Sequence, residues 1–290
     1  MSIRERDGSV GTHRHDAGMV ASPLLATAAA AVSISPVGAT ATTFDRAYHA
    51  ARPNQVVAVQ PGAYPPQRLT AGGRPVVFAG SGRVRVGSVQ LDGASNVEFR
   101  GMRIAGWRVD AANHVTFRNV DTAGAFFIDA PSSWISVIGG SVGPSRDANS
   151  FIAVPDDSVT RPSRHVLIDG VSFHDVSRSP GRHVECLMLA QGIDVTIRDS
   201  SFVRCSVFDL FVTWWDFRPA VGPPTGVVLE HDRFGHTTDG YFSILWSSVV
   251  GVDNRGWSGY TIRDNRCEQR ADFASATPRS SFVIRRNDGC

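Results

Sequence analysis

The chain of 290 residues contains no lysine, and all 29 of its basic residues are arginine. That absence excludes a lysine base or a Schiff base, because a guanidinium rarely gives up its proton. Net charge is scarce as well. The formal total is +2 and the arginines are scattered along the chain, so the electrostatic footprint of nucleic-acid binding is missing and no nucleic-acid partner is expected. An uninterrupted apolar run is also lacking. The most apolar stretch, Met19 to Ala39, is rich in Ala and Val but holds Pro23 and Pro36, which argues against a stable membrane span. It reads instead as an export signal, with Ala39-Thr40-Ala41 as a small-residue cleavage site. Residues 1–41 are thus assigned to a leader. The alternative is a disordered Ala-rich leader, since the charges ahead of the stretch cancel. Only four cysteines are present; they suit an oxidising compartment and allow three pairings.

What the chain does have is a recurring phrase. It reads NVEFRGMRIAG from Asn96, HVTFRNVDTAG from His114, WISVIGGSVGP from Trp134 and HVLIDGVSFHD from His165. It continues as DVTIRDSSFVR from Asp194, GVVLEHDRFGH from Gly226, GYTIRDNRCEQ from Gly259 and SFVIRRNDGC from Ser281. The leading apolar residues are Val97, Val115, Ile135, Val166, Val195, Val227, Tyr260 and Phe282, spaced 18 to 33 residues apart. Within a copy, as in Val195-Thr196-Ile197-Arg198, apolar and polar residues alternate with the period of a strand that buries one face. Turn-prone pairs such as Arg118-Asn119, Gly139-Gly140 and Asp169-Gly170 then bend the chain. A coil of about 20 residues cannot bury its apolar face alone, but stacked parallel coils can. Spacings above that length mark coils that carry inserted loops.

On these residues the sequence resembles the right-handed parallel β-helix proteins of the pectate-lyase-like superfamily, over Phe44 to Cys290. The start FDRAYHAARPNQVVAVQPGAYPPQRL fits that group, with Phe44 to Ala51 as a short amphipathic capping helix and Val56 to Val59 as the first strand. The expectation is an all-β fold: residues 42–290 form one elongated domain of about nine coils at ~4.8 Å each, a monomer. The last turn is pinned if Cys267 bridges Cys290 from the neighbouring coil. Cys186 either pairs with Cys205 or is a small buried hydrophobe.

Candidate chemistry lies on the third strand of the coil, where the long loops follow. Aligning Val184–Met188 with Phe208–Val212 and Phe242–Trp246 turns Val184, Phe208 and Phe242 inward and stacks Glu185, Asp209 and Ser243 outward. His183, Glu185, Asp209, Asp239 and Tyr241 then share an exterior patch. Two close carboxylates repel, which raises one pKa and suits acid and base work or a hard cation. His183 and Glu185 form an H-x-E pair, and histidine titrates near neutrality. The adjoining loops add Trp214, Trp215, Asp216, Phe217, Trp257, Arg178 and Arg182. Aromatic faces stack on sugar rings, and arginine forks pair with carboxylates of acidic sugars. Each polar residue taken singly also fits a solvated strand face, and Trp246 continues the inward series.

The resemblance implies stacked acids holding calcium, here Glu185, Asp209 and Asp239, and an arginine base, here Arg178 or Arg182. The N-T-D, D-D, G-H-G and R-I-K set of polygalacturonases is absent, as is the D-P-H-D pattern of alginate epimerases. The function expected is a secreted polysaccharide lyase, with a hydrolase second, acting on an acidic polysaccharide or oligosaccharide. The alternative is a non-catalytic glycan-binding, adhesion or structural module.

Overall fold

Most copies of the phrase fold as two short strands joined by a tight turn, followed by a third. The computed structural model describes residues 32–40, 42–153, 159–214, 221–248, 258–272 and 282–290. The first strands of the coils, among them Gln55–Val59, Val76–Ala79, Ser95–Arg100, Arg164–Asp169 and Ile193–Arg198, pair in parallel one above the next. Second strands such as Gly62–Tyr64, Val84–Val86, Ser172–His174 and Ser201–Val203 do the same. The third ladder runs through Gln67–Thr70, Val89–Asp92, Trp107–Asp110, Phe126–Asp129, Ser150–Ala153, Leu187–Leu189, Leu210–Trp214 and Ile244–Ser248. Two long strands, Asn113–Thr122 and Ser133–Val142, run on from the first ladder into the second. Among the described strands every pairing is parallel, the architecture of a right-handed parallel β-helix.

Alternation decides what lies inside. Val97, Val115, Ile135, Val166, Val195 and Val227 are buried in one core. Aromatic rings stack along the ladders: on the first strands Phe78, Phe99 and Phe117 lie 5.5 and 5.3 Å apart, and on the second strands of later coils Phe173, Phe202 and Phe234 lie 4.6 and 4.9 Å apart. Burying each such ring stabilises the fold by ~3 kcal/mol, to which stacking adds. The turns use the expected chemistry. Asn119, Gly139, Gly170, Asp199 and Asp264 have φ of 50 to 65°, left-handed angles that Gly, Asn and Asp tolerate.

The helix spans Thr43–Ala50 and buries Phe44 and Tyr48. Phe44 stacks on Phe78 at 4.9 Å, while the Tyr48 hydroxyl donates to the Ser95 carbonyl at 2.7 Å. Ahead of it a strand at Val32–Ile34 pairs with Val57–Val59. The segment assigned to the leader up to residue 41 therefore contributes a strand, and the compact unit runs from Ala31 to Cys290. Three residues were too short a run to stand out from the Ala-rich stretch before them. Disulfides join Cys186 to Cys205 and Cys267 to Cys290, with Cα separations of 5.4 and 4.9 Å. Cys186 is thus not a free thiol, although it is fully buried. Among the described residues no helix is long and apolar enough to cross a membrane.

Candidate active site

The third ladder turns an unusual row outward. Its register aligns Arg108, Phe127, Phe151, Met188, Phe211 and Leu245 in successive coils. Phe127 and Phe151 stack at 5.4 Å, and the Arg108 guanidinium lies 5.5 Å above Phe127. Arg108 also pairs with Asp129. Burial raises the Asp129 pKa, and Arg108 opposes the rise.

Beside Phe127 and Phe151 of this row a surface cavity of about 410 Å³ opens, lined also by Asp147, Asn149, Arg182 and His183. The His183 side chain is 56% exposed, and its Nδ1 lies against Oε1 of Glu185, which has no exposed surface. Asn149 clamps that carboxyl: its Nδ2 donates to Glu185 Oε2 at 2.7 Å, and the Glu185 backbone N–H donates to Asn149 Oδ1 at 3.1 Å. Burial pushes Glu185 up to about 7, against the hydrogen bond from Asn149. His183 is pushed down, first by burial and then by the Arg178 cation. A carboxyl fixed by an amide and facing an imidazole is the arrangement that orients a histidine for proton transfer.

The connection holding His183 is tied across coils. Asp147 accepts bonds from the Ser179 N–H and hydroxyl, both at 2.6 Å, which lower its pKa. Arg178 pairs with Asp239, and its Nη1 donates to the Arg182 carbonyl at 2.6 Å. Arg178 and Asp239 therefore neutralise one another, while the Arg182 side chain lines the cavity.

Other expectations need correction. Glu185 and Asp209 do not share an outward face: both are fully buried. The ladder pairs Leu187 with Leu210, a register one residue off the predicted one. Residues 182–185 are not a strand, so alternation does not govern Glu185. Leu210 and Val212, not Phe208, face the core. Burial holds the Asp209 carboxyl well above its usual pKa, with Glu268 adding to the effect. The nearby Ser243 hydroxyl donates to the Gly235 carbonyl at 3.0 Å, and both Asp209 oxygens lack a hydrogen-bond partner. Glu185, Asp209 and Asp239 are not assembled as a cation site; among the described residues no three His, Cys, Asp or Glu groups converge on one point. Tyr241 is 50% exposed and reaches His183 only through Phe208, with ring separations of 6.0 and 5.4 Å. Trp215, Asp216, Phe217 and Trp257 lie outside the described residues, as do the side chains of Trp214 and Trp246.

Asn149, Asp147, Phe127 and Phe151 were missed. The signal was present in the third strands FFID and SFIA, whose alternation aims the second residue outward.

No family model matches the sequence, and no curated protein does. Solved structures do. The catalytic domain of a GH87 α-1,3-glucanase in complex with tetrasaccharides aligns with a TM-score of 0.52 at 12% identity, covering 89% of this chain and 58% of that one. The A-module of mannuronan C-5 epimerase AlgE6 from Azotobacter vinelandii gives 0.43 at 13%, covering 86% and 90%. An alginate lyase from Paenibacillus gives 0.35 at 11%, covering 88% and 99%. The chain has the fold of a right-handed parallel β-helix.

Proposed function

We propose that this protein is a secreted carbohydrate-active enzyme that cleaves an acidic polysaccharide by β-elimination, with His183 as the base. The observation that carries this reading is an exposed imidazole backed by a buried, Asn149-clamped carboxyl at the mouth of a cavity. When Glu185 is ionised it accepts the Nδ1 proton and leaves Nε2 free to take one. Nε2 removes the proton alpha to the uronic carboxylate, and that electron pair forms the new C=C bond as the neighbouring C–O bond breaks. Water at the cavity mouth supplies the proton to the departing oxygen. Arg182 is the candidate partner for the uronic carboxylate, through charge-assisted hydrogen bonds. Phe127 and Phe151 supply an apolar wall for sugar rings. Two disulfides favour an oxidising compartment, in keeping with secretion.

Incubation with alginate, pectate and glucuronan, followed by absorbance of unsaturated products, tests the reading. A rise on one of these polymers is expected. New reducing ends without absorbance would instead mean hydrolysis. Binding without turnover would mean a glycan-binding module.

A further inference from the structure

In the later coils, one buried polar side chain sits in the turn between the first and second strands and bonds to the backbone of the coil before it. The Val171 N–H donates to Ser200 Oγ (3.1 Å), Ser200 N–H to Asp232 Oδ1 (2.8 Å), Asp232 N–H to Asn265 Oδ1 (2.8 Å), and Asn265 N–H to Asn287 Oδ1 (3.0 Å). These positions are equivalent, because Ser201, Arg233, Arg266 and Asp288 pair in succession. At both asparagines the second polar atom is also used. Asn265 Nδ2 donates to the Leu229 carbonyl at 3.0 Å, and Asn287 Nδ2 donates to the Ile262 carbonyl at 2.8 Å.

For Asp232 the matching carbonyl belongs to Ile197, which is in register with Leu229 and Ile262. With Oδ1 taken by the Ser200 N–H, the Asp232 atom that corresponds to the asparagine Nδ2 is Oδ2. It is buried and has no hydrogen-bond partner. An ionised carboxylate at this place sets acceptor against acceptor, whereas a carboxylic acid carries one donor. We propose that Asp232 is held as the neutral acid and donates its Oδ2 proton to the Ile197 carbonyl, a protonation latch that takes an asparagine's place between two coils.

The electrostatics agree with the hydrogen-bond pattern. Burial is the main cause of a pKa pushed up to about 8, and the Asp199 and Glu230 carboxylates raise it further. Glu230 on the same strand is paired with Arg263 from the next coil. His231 lies 3.9 Å from Asp199 and 3.8 Å from Asp264. No arginine or histidine pairs with Asp232 among the described residues. An unfolded aspartate ionises near 3.9, so between about pH 4 and pH 8 the folded chain holds a proton that the unfolded chain has lost. The latch's contribution is complete below about pH 4 and is lost as pH rises through about 8, at about tenfold in the folding constant per pH unit.

The test compares full-length protein with Asp232→Asn, which restores a donor that does not titrate. The variant should melt above the wild type at pH 8, with the gap closing towards pH 4. Glu185 and Asp209 titrate in both proteins and cancel in the difference. The reciprocal Asn265→Asp should gain the pH dependence, melting progressively lower than wild type as pH rises. A difference between Asp232→Asn and wild type that stays flat from pH 4 to 8 would overturn the latch. So would an Asp232→Asn chain that fails to fold or melts lower at pH 8, because the amide fits the latch as drawn. The outcome is independent of any enzymatic activity.

Discussion

Glu185 has two polar neighbours, Asn149 at 2.7 Å and the His183 ring, and no contact with solvent. Its pKa of about 7 gives opposite predictions for stability and for rate. As the neutral acid it donates to Nδ1 and leaves the proton on Nε2, so no base faces the cavity. As the carboxylate it accepts from Nδ1 and frees Nε2. Activity should therefore rise with pH through about 7, as a pH profile of kcat/KM would show; a profile flat across that range would contradict the pairing. Stability runs the other way. A carboxyl with a raised folded pKa contributes most below the unfolded value, near 4.3, and that contribution is lost as pH climbs to about 7, ~4 kcal/mol over the window. Glu185→Gln should lower turnover by about 10²-fold or more, because its amide N–H donates to Nδ1 and fixes the wrong tautomer. It should also melt above wild type at pH 8, measured by circular dichroism.

At the scale of the element, the third ladder and the connection that leads into Leu187–Leu189 divide the labour. The ladder supplies a row of aromatic side chains in fixed register, while the connection through Ser179 and Arg182 places the titrating group. Asp147→Ala removes two 2.6 Å bonds to Ser179 and should raise KM more than it lowers kcat. Steady-state kinetics separate the two, and a pure kcat loss would instead place Asp147 in the chemistry. Inside the coils, Phe99→Ala leaves a gap between Phe78 and Phe117 and should cost ~4 kcal/mol in denaturant unfolding. The strands and turns were legible because Val97, Val115, Ile135 and their counterparts repeat with a two-residue alternation. The placement of Glu185 was not, because residues 182–185 have no strand period to read. A one-residue slip in a strand exchanges its faces, so the slip between Leu187 and Leu210 turns Leu187 and Leu189 inward, while Asp209 is buried because it lies in the bend ahead of the strand Leu210–Trp214, where alternation does not apply. Val32–Ile34 was invisible because three residues carry no pattern of their own, only the partner at Val57–Val59.

For the whole molecule, the coils are held by a continuous core, by side-chain ladders in the turns and by two crosslinks, the Cys186–Cys205 and Cys267–Cys290 bridges. The cysteine pairing was partly legible, since Cys267 and Cys290 fall at neighbouring places in consecutive copies; Cys186 lacked such a sign. Each bridge closes a short loop, with sequence separations of 19 and 23. Reduction should therefore lower stability by ~3 kcal/mol per bridge, read as a fall in the denaturant midpoint under dithiothreitol. Glu185, Asp209 and Asp232 are buried acids that all favour the protonated form. The molecule as a whole should thus be more stable at mildly acidic than at mildly alkaline pH.

The base assignment is tested most directly by the initial rate of unsaturated-product formation on a uronic-acid polymer, with wild type and His183→Ala compared at pH 8 and both shown folded by their melting curves. The expected result is steady absorbance growth for the wild type and a loss of about 10²-fold or more for His183→Ala. A His183→Ala enzyme that retains the wild-type rate, or a folded wild type that leaves every uronic polymer intact, would contradict it.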